Sequence, residues 1–279
     1  MKKLFKKLMS IGKVGITIIG ILIVALFVWI NFWGGTAEEY FNKAKNSSDY
    51  QYQIDNYTKC LRIDPDYGPS AYNNRGIAYS KLGDYKDAID DYSKAIKIDP
   101  DYAAAYYYRG VVFAEIGNHN DAIKDFTSSI KIDPNRYPTY EERGKAYSDI
   151  GNYEWAIFDF TNALKIRPNS QCYYLRGNMF AELESYDKAI NNYDEAIKIN
   201  PEYTSAYLNR GNSYSELGNY NNAIEDFTRA IKIEPDNGLW YYNLAITKQR
   251  AKVEFCSDYK KSCDLGYKQG CDNYDELCK

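Results

Sequence analysis

Histidine is nearly missing from this chain of 279 residues, and so are the short motifs that mark many enzymes. His119 is the single histidine, which leaves almost no basis for a His-ligated metal site or a His general base. No G-x-S-x-G, H-E-x-x-H or P-loop pattern occurs, and the 18 glycines are spread out instead of clustered around a phosphate. The sequence therefore predicts a protein that is not an enzyme, with no metal, no cofactor and no small-molecule substrate.

The chain also lacks a strong excess of basic over acidic residues, or of acidic over basic residues. The 35 basic and 38 acidic side chains nearly cancel to a net charge of −3, which argues against nucleic acid as a partner. Apolar residues make up 45% and charged residues 26% of the chain, which excludes both a disordered chain and a polytopic membrane protein. Tyrosine, in contrast, occurs 30 times, which indicates an architecture that uses this side chain repeatedly.

Acidic residues are absent from the first 35 positions, which carry five lysines before an uncharged apolar run from Val14 to Ile30. With Phe32 and Trp33 the run reaches the length of roughly 20 residues that a bilayer requires. We expect a basic cytoplasmic N-terminus over 1–13 and a transmembrane helix over 14–33, with the rest of the chain extracytoplasmic. A cleaved signal peptide is the alternative, but its apolar region usually spans only about 7–15 residues.

A repeat of about 34 residues follows this segment. The string I-K-I-D-P-D-Y at Ile96 recurs with small changes along the chain, and its prolines stand 33 to 35 residues apart. An Arg-Gly dipeptide recurs at nearly the same interval of about 34 residues. A period of this length indicates a stacked repeat array instead of a single globular core. The prolines are Pro65, Pro100, Pro134, Pro168, Pro201 and Pro235, and the arginines are Arg75, Arg109, Arg143, Arg176 and Arg210.

Each period divides into two helices. Apolar and small residues recur at helical spacing on both sides of Gly83-Asp84. Gly83 suits the left-handed position that ends a helix, Asp84 can cap the next helix, and Asp99-Pro100 stops the second helix. Gly76 and Ala88 are small, which predicts that two helix axes approach closely at these positions.

The turn motif Leu82-Gly83-Asp84-Tyr85 and its equivalents resemble those of the tetratricopeptide repeat family. The resemblance implies an all-α fold, an α-solenoid of tandem helix-turn-helix repeats. It places about six repeats over 36–248, the first of them degenerate, with Phe41 where glycine is expected. Arginine stands before the first-helix glycine, where the family usually has leucine. His119 occupies a tyrosine position of the turn and is expected to be structural.

The resemblance further implies that the first helices line a concave groove that binds a peptide or partner segment. The expected lining is rich in asparagine and tyrosine, which suit the backbone of an extended peptide. Lys145 is its single cation, so the carboxylate clamp of some family members is not expected. The alternative is a solvated surface with no ligand. The predicted groove residues are Asn73, Asn74, Tyr107, Tyr108, Lys145, Tyr174, Asn178, Asn209, Asn212, Tyr242 and Asn243.

Cysteines are concentrated at the C-terminus, at intervals of seven, eight and seven residues. These spacings favour a short helical hairpin over 249–279 with nested disulfides, Cys263–Cys271 inside Cys256–Cys278. The segment around Cys263-Asp264-Leu265-Gly266-Tyr267 resembles the cysteine-rich Sel1-like repeats of secreted bacterial proteins. Free thiols remain an alternative, as does zinc, although no C-x₂₋₄-C spacing is present. We expect the hairpin to cap the array, Cys60 to lie in the core, and Cys172 to lie near a helix start.

Taken together, these features predict a single-pass, membrane-anchored extracytoplasmic scaffold or adaptor with a protein or peptide partner. Two other functions stay open. An envelope assembly chaperone would bind many unfolded segments weakly, whereas a non-catalytic subunit of an envelope enzyme complex would hold one partner tightly.

Overall fold

The computed structural model describes residues 35–279, and the predicted transmembrane segment 14–33 lies outside them. Fifteen α-helices and no β-strand occur in the described residues. Within this part of the chain no helix combines the length and apolar character needed to cross a bilayer. The helices are α1 Ala37–Lys45, α2 Tyr50–Ile63, α3 Pro69–Leu82, α4 Tyr85–Ile98, α5 Ala103–Glu115, α6 His119–Ile132, α7 Tyr137–Asp149, α8 Tyr153–Ile166, α9 Ser170–Glu182, α10 Tyr186–Ile199, α11 Thr204–Glu216, α12 Tyr220–Ile233, α13 Gly238–Arg250, α14 Cys256–Asp264 and α15 Lys268–Leu277.

Several helix ends follow the local signals in the sequence, but Asp84, the predicted cap of α4, stands at the N-cap without a side-chain capping hydrogen bond. Thr36 and Glu39 form a reciprocal capping box that starts α1. Gly83 ends α3 with a φ of +84°, a left-handed conformation that glycine adopts without a steric penalty. In the α9–α10 turn the equivalent residue is Glu184, which holds a φ of +53° despite its side chain. The predicted turns are therefore present even where the glycine is replaced.

The described residues form two compact units, 35–112 and 113–279. In the first unit, α1 packs on α2, α2 on α3, and α3 on α4. Two buried clusters fill it, one around Cys60, Leu61 and Ala71 and the other around Tyr92. Phe41 of the short helix α1 contacts Tyr57, with ring centroids 5.5 Å apart, so the degenerate first pair still buries an aromatic contact.

In the second unit, each helix from α6 to α14 packs on the next one in sequence, and α15 packs on α14. Second helices bury one aromatic side chain each, and in α6, α8 and α12 this is a phenylalanine that is at most 1% exposed. A Cβ placed on Gly144 of α7 would lie 2.9 Å from a ring carbon of Phe160. The small residues of the repeat are therefore required by close helix contact, as the sequence predicts.

The unusual arginines link helices through buried ion pairs. Arg143 of α7 makes two hydrogen bonds of 2.8 Å to Asp159 of α8 and a third of 2.9 Å to Thr127 of α6. Arg75 makes the same contacts with Asp91 and Thr58. One guanidinium thus joins three helices, which leucine could not do by hydrogen bonding.

The arginine of α9 has a neutral partner in place of the carboxylate. Arg176 donates to the amide oxygen of Asn192 at 2.8 Å and to Thr161 at 3.0 Å. Burial lowers the pKa of Arg176. Burial acts in the same direction on Arg143, but the hydrogen bonds and charge of Asp159 outweigh it, and the pKa of Arg143 is raised.

The C-terminal hairpin α14–α15 brings both predicted cysteine pairs to disulfide distance. Cys256 and Cys278 have Cα atoms 5.7 Å apart, and those of Cys263 and Cys271 are 4.4 Å apart. The hairpin packs on α13, where the Ser262 hydroxyl donates to the carbonyl of Gly238 at 2.8 Å and Lys248 pairs with Asp258 at 2.6 Å. The end of the repeat array is therefore covered by a hairpin with a covalent cross-link.

Candidate functional site

Four side chains from three consecutive helices form one hydrogen-bonded group, which we call the asparagine–tyrosine cluster: Tyr174 and Asn178 of α9, Tyr193 of α10 and Asn209 of α11. The amide nitrogen of Asn209 donates to the Tyr174 hydroxyl at 3.1 Å and to the amide oxygen of Asn178 at 2.9 Å. The Tyr193 hydroxyl donates to the same Asn178 oxygen at 2.9 Å. Three of the predicted groove residues therefore meet, although they are up to 35 positions apart in sequence.

Tyr193 is the buried member of this cluster. Its ring is fully buried and its centroid lies 6.0 Å from that of Tyr174, and burial raises the pKa of its hydroxyl. Tyr203 closes the other side, with its ring centroid 5.0 Å from that of Tyr174 and its hydroxyl donating to Gln171 at 2.7 Å. Burial, with the neighbouring Tyr174 and Glu141, raises the pKa of Tyr203 to about 12. The amides are thus held in place before any ligand arrives.

An open cavity of about 350 Å³ adjoins the cluster, and we call it the amide cavity. Asn178, Asn209 and the exposed Asn212 contribute amides to its lining, and Glu182 and Glu216 contribute carboxylates. Of the described lysines and arginines, none belongs to this lining. Arg250 of α13 donates to the Glu216 carboxylate at 3.1 Å and neutralises it, so the negative potential of the cavity comes from Glu182. The cavity therefore offers amide donors and acceptors beside one carboxylate.

Lys145, the expected groove cation, is neutralised by its own helix. Its ammonium lies 2.9 Å from a carboxylate oxygen of Glu141 and 2.9 Å from one of Glu142. Burial opposes the charge, but hydrogen bonds to these two carboxylates raise the pKa of Lys145. A second Glu141 oxygen accepts from the Cys172 thiol at 3.4 Å. This arrangement leaves Lys145 poorly suited to binding a ligand carboxylate.

Other predicted groove residues lie elsewhere than expected. Asn73 is only 3% exposed, so it lacks the accessibility that the groove prediction requires. Tyr242 packs against Tyr259 and Tyr267 of the C-terminal hairpin, at centroid distances of 6.0 and 5.1 Å. The hairpin thus covers the Tyr242 ring on α13. Asn243 is half-buried on the same helix.

The first unit has a smaller group of related residues. Tyr107 and Tyr108 of α5 are half-buried with ring centroids 5.0 Å apart, and Tyr108 stacks on Tyr92 at 6.2 Å. Asn74 is also half-buried and hydrogen-bonds to the Tyr57 side chain. Each second-helix tyrosine therefore meets a first-helix residue 16 or 17 positions later. This spacing was available in the sequence as a signal for Tyr193, which the groove prediction omitted.

The described residues were compared with the side-chain arrangements that bind metal ions. Across positions 35–279 no group of three or more His, Cys, Asp or Glu side chains is arranged to hold a metal ion. The two cysteines outside the hairpin, Cys60 and Cys172, are buried, and burial raises their thiol pKa values to about 11 and about 12. Both are therefore core residues, and their burial disfavours the thiolate form.

Comparison with protein families matches the repeats directly. The family described as "Tetratricopeptide repeat" matches residues 69–102, 103–136, 137–170 and 204–237. A model described as "TPR repeat" matches residues 177–218. A search of the curated proteins returned no significant match.

Several solved structures share the fold. The crystal structure of MamA is 27% identical over 60% of this chain and 92% of its own, with a TM-score of 0.58. YrrB, described as a TPR protein with an unusual peptide-binding site, is 21% identical over 67% of this chain and 96% of its own, with a TM-score of 0.60. The C-terminal part of a TPR repeat-containing protein from Cytophaga hutchinsonii is 20% identical over 85% and 97%, with a TM-score of 0.67.

Proposed function

Because residues 69–170 and 177–237 are tetratricopeptide repeats, we propose that this protein is a non-catalytic scaffold or adaptor that binds an extended segment of a partner protein. One observation carries the proposal. The asparagine–tyrosine cluster presents fixed amides beside the amide cavity, on the first helices α9 and α11. YrrB, whose fold this chain shares, provides a precedent for peptide binding on this fold.

The chemistry of the cavity defines the segment. Asparagine amides donate and accept together, so they match the alternating N–H and C=O groups of an extended backbone. Glu182 favours a segment that carries lysine or arginine and disfavours an acidic segment, whereas Glu216 is already paired with Arg250. A C-terminal carboxylate is disfavoured as well, since Lys145 is already paired with two glutamates. The expected ligand is an extended, neutral to basic peptide.

Three fluorescent peptides of equal length, which differ only in a central lysine, serine or aspartate, test this expectation. The full chain should bind the lysine peptide most tightly and the aspartate peptide most weakly. Asn178→Ala with Asn209→Ala should weaken binding of all three by at least about tenfold, because two amide hydrogen bonds are lost. Fluorescence anisotropy measures the affinities, and Asn221→Ala, at an exposed position of α12, is the matched control.

A second variant separates charge from backbone recognition. Glu182→Gln should reduce the preference for lysine over serine and leave binding of the serine peptide unchanged. Equal affinity for the three peptides, or binding unaffected by the double asparagine variant, would contradict the assignment of the cavity. Many ligands with weak, similar affinities would favour the assembly chaperone, and one tight ligand the enzyme-complex subunit.

We further propose that residues 14–33 anchor the chain and that the repeats lie on the extracytoplasmic side. The five N-terminal lysines support this orientation, and so do two cysteine pairs at disulfide distance, because disulfides persist in oxidising compartments. Denatured without reductant, the protein from cells should show two thiols, Cys60 and Cys172, and after reduction all six. Six thiols without reduction, counted by alkylation and mass spectrometry, would contradict this location.

A further inference from the structure

Helix α8 differs from the other second helices at two surface positions, the third and the sixth of the helix. In α8 these positions hold Trp155 and Phe158. In the other four second helices between α4 and α12 they hold polar or charged residues: Asp87 and Asp90, Asp121 and Lys124, Lys188 and Asn191, Asn222 and Glu225. The repeat scaffold therefore does not require aromatic side chains at these two positions.

Both aromatic side chains are exposed and held in place. Trp155 is 52% exposed and Phe158 is 51% exposed, and their ring centroids lie 5.6 Å apart in an edge-to-face contact. Tyr147 of α7 also stacks on Trp155, with ring centroids 6.1 Å apart. Two large apolar rings left in water cost free energy unless a partner covers them, and adjacent exposed rings of this kind mark interaction surfaces.

The remaining residues on this face of α8 are arranged in a regular order. At 3.6 residues per turn, Glu154 and Lys165 lie along one edge of the face, Trp155 and Ile166 along the other, and Phe158 between the edges. Glu154 and Lys165 are exposed, and Ile166 is 39% exposed. Asn162 lies one turn from Phe158, half-buried, in the centre of the face. We call these six residues the α8 face.

The α8 face is complementary to itself when two copies run antiparallel. Around a two-fold axis at the level of Phe160, Glu154 lies opposite Lys165 of the second copy, on the same edge. Trp155 then lies opposite Ile166 on the other edge, and Phe158 opposite Asn162 in the centre. The midpoint in sequence of each pair lies within half a residue of Phe160. Each pair also occurs twice in the dimer, as an isologous interface requires.

We propose that the α8 face is a homodimer interface in which two α8 helices pack antiparallel. The charge order along the helix selects a second copy of this chain over an unrelated partner, since each acid meets a base without any further element. The amide cavity is built by α9, α10 and α11, so the contact uses none of its residues. A dimer would present two amide cavities and gain avidity for a partner with repeated segments.

Charge reversal tests this pairing in the full chain, purified in detergent and examined by sedimentation velocity. Glu154→Lys alone and Lys165→Glu alone should each weaken the dimer, because either change creates two like-charge contacts per dimer. The double variant Glu154→Lys with Lys165→Glu should restore it, because the two positions lie opposite each other and their charges are complementary again. Glu225→Lys, a charge reversal at an exposed position of α12, is the matched control and should leave the dimer unchanged.

Replacing the aromatic pair gives the largest expected effect. Trp155→Lys with Phe158→Asn reproduces the surface of α10 and should weaken the dimer at least about 30-fold, as loss of an aromatic anchor does. The far-UV circular dichroism spectrum of the native protein should stay as in the wild type, since α10 carries the same residues within a folded repeat. A wild-type chain that is monomeric, a dimer that persists in both single charge variants, or a double variant that stays monomeric overturns the proposal. Loss of binding to lipid vesicles or to another protein, with an unchanged oligomeric state, overturns it as well.

Discussion

The repeat hairpin α7–α8 and the C-terminal hairpin α14–α15 have the same topology and are held together differently. Both turn through a left-handed glycine, Gly151 with a φ of +74° and Gly266 with a φ of +83°. The helices of the first are 13 and 14 residues long, and those of the second only 9 and 10. The length of a helix pair limits the apolar surface that it can bury. A pair that buries little apolar surface needs another source of stability, such as a cross-link.

The longer hairpin buries a complete core. Phe160, Ala156 and Ala163 are fully buried, and the ion pair of Arg143 with Asp159 connects the helices beside them. In the shorter hairpin, α14 buries Tyr259 and Ser262, and α15 buries Gly270. So small a core provides little hydrophobic stabilisation, and two cross-links take its place. We therefore expect the array to fold in any redox environment and the hairpin to depend on oxidation.

Removing the carboxylate from the longer hairpin should have the largest effect on stability. Asp159→Ala leaves the guanidinium of Arg143 buried without its counter-charge, at a cost of about 3–5 kcal/mol in the free energy of unfolding. Urea denaturation measures the loss. Asn192→Ala is the matched control, since it removes a neutral partner of Arg176 and should cost only about 1–2 kcal/mol. Equal losses in the two variants would show that the charge of Asp159 adds nothing.

Removing the outer cross-link should destabilise the shorter hairpin alone. Cys256→Ser with Cys278→Ser opens a loop of 22 residues and should cost about 3 kcal/mol of local stability. Amide hydrogen exchange should accelerate in α14 and α15 and remain slow in α7 and α8. Acceleration throughout the second unit would mean that the hairpin supports the array more than its small core indicates. Cys172→Ser, at a buried thiol of the array, is the control for cysteine replacement.

The turn that the two hairpins share allows a smaller test. Glu184 occupies the glycine position of the α9–α10 turn in a left-handed conformation, and Glu184→Gly should stabilise the protein by about 1 kcal/mol. Gly151→Glu in the α7–α8 turn should destabilise it by a similar amount. Thermal unfolding measures both changes. A stability unchanged by Glu184→Gly would indicate that contacts of the Glu184 side chain compensate for the backbone strain.

Much of the fold could be predicted from the sequence, and less of the candidate site. Repeat period, helix pairs, turns and cysteine pairing depend on short-range spacing, which the chain displays directly. Asn178, Asn209 and Asn212 were predicted to line a groove and do line one cavity. Tyr193 and Tyr203 were missed because they stand at positions that otherwise serve the scaffold. Tyr193 could have been found from its spacing to Asn209, whereas only the hydroxyl contact with Gln171 distinguishes Tyr203.

The sequence by itself determined where helices begin, turn and end, because hydrogen bonds within a helix join residues four positions apart and caps act over three. Tertiary structure alone decided which of the predicted groove residues are accessible and which side chains they contact in other helices. Packing buried Asn73, brought the hairpin onto Tyr242 and left Trp155 and Phe158 exposed. Those outcomes depend on how neighbouring helices are rotated against each other, and rotation is set by contacts between residues far apart in the chain.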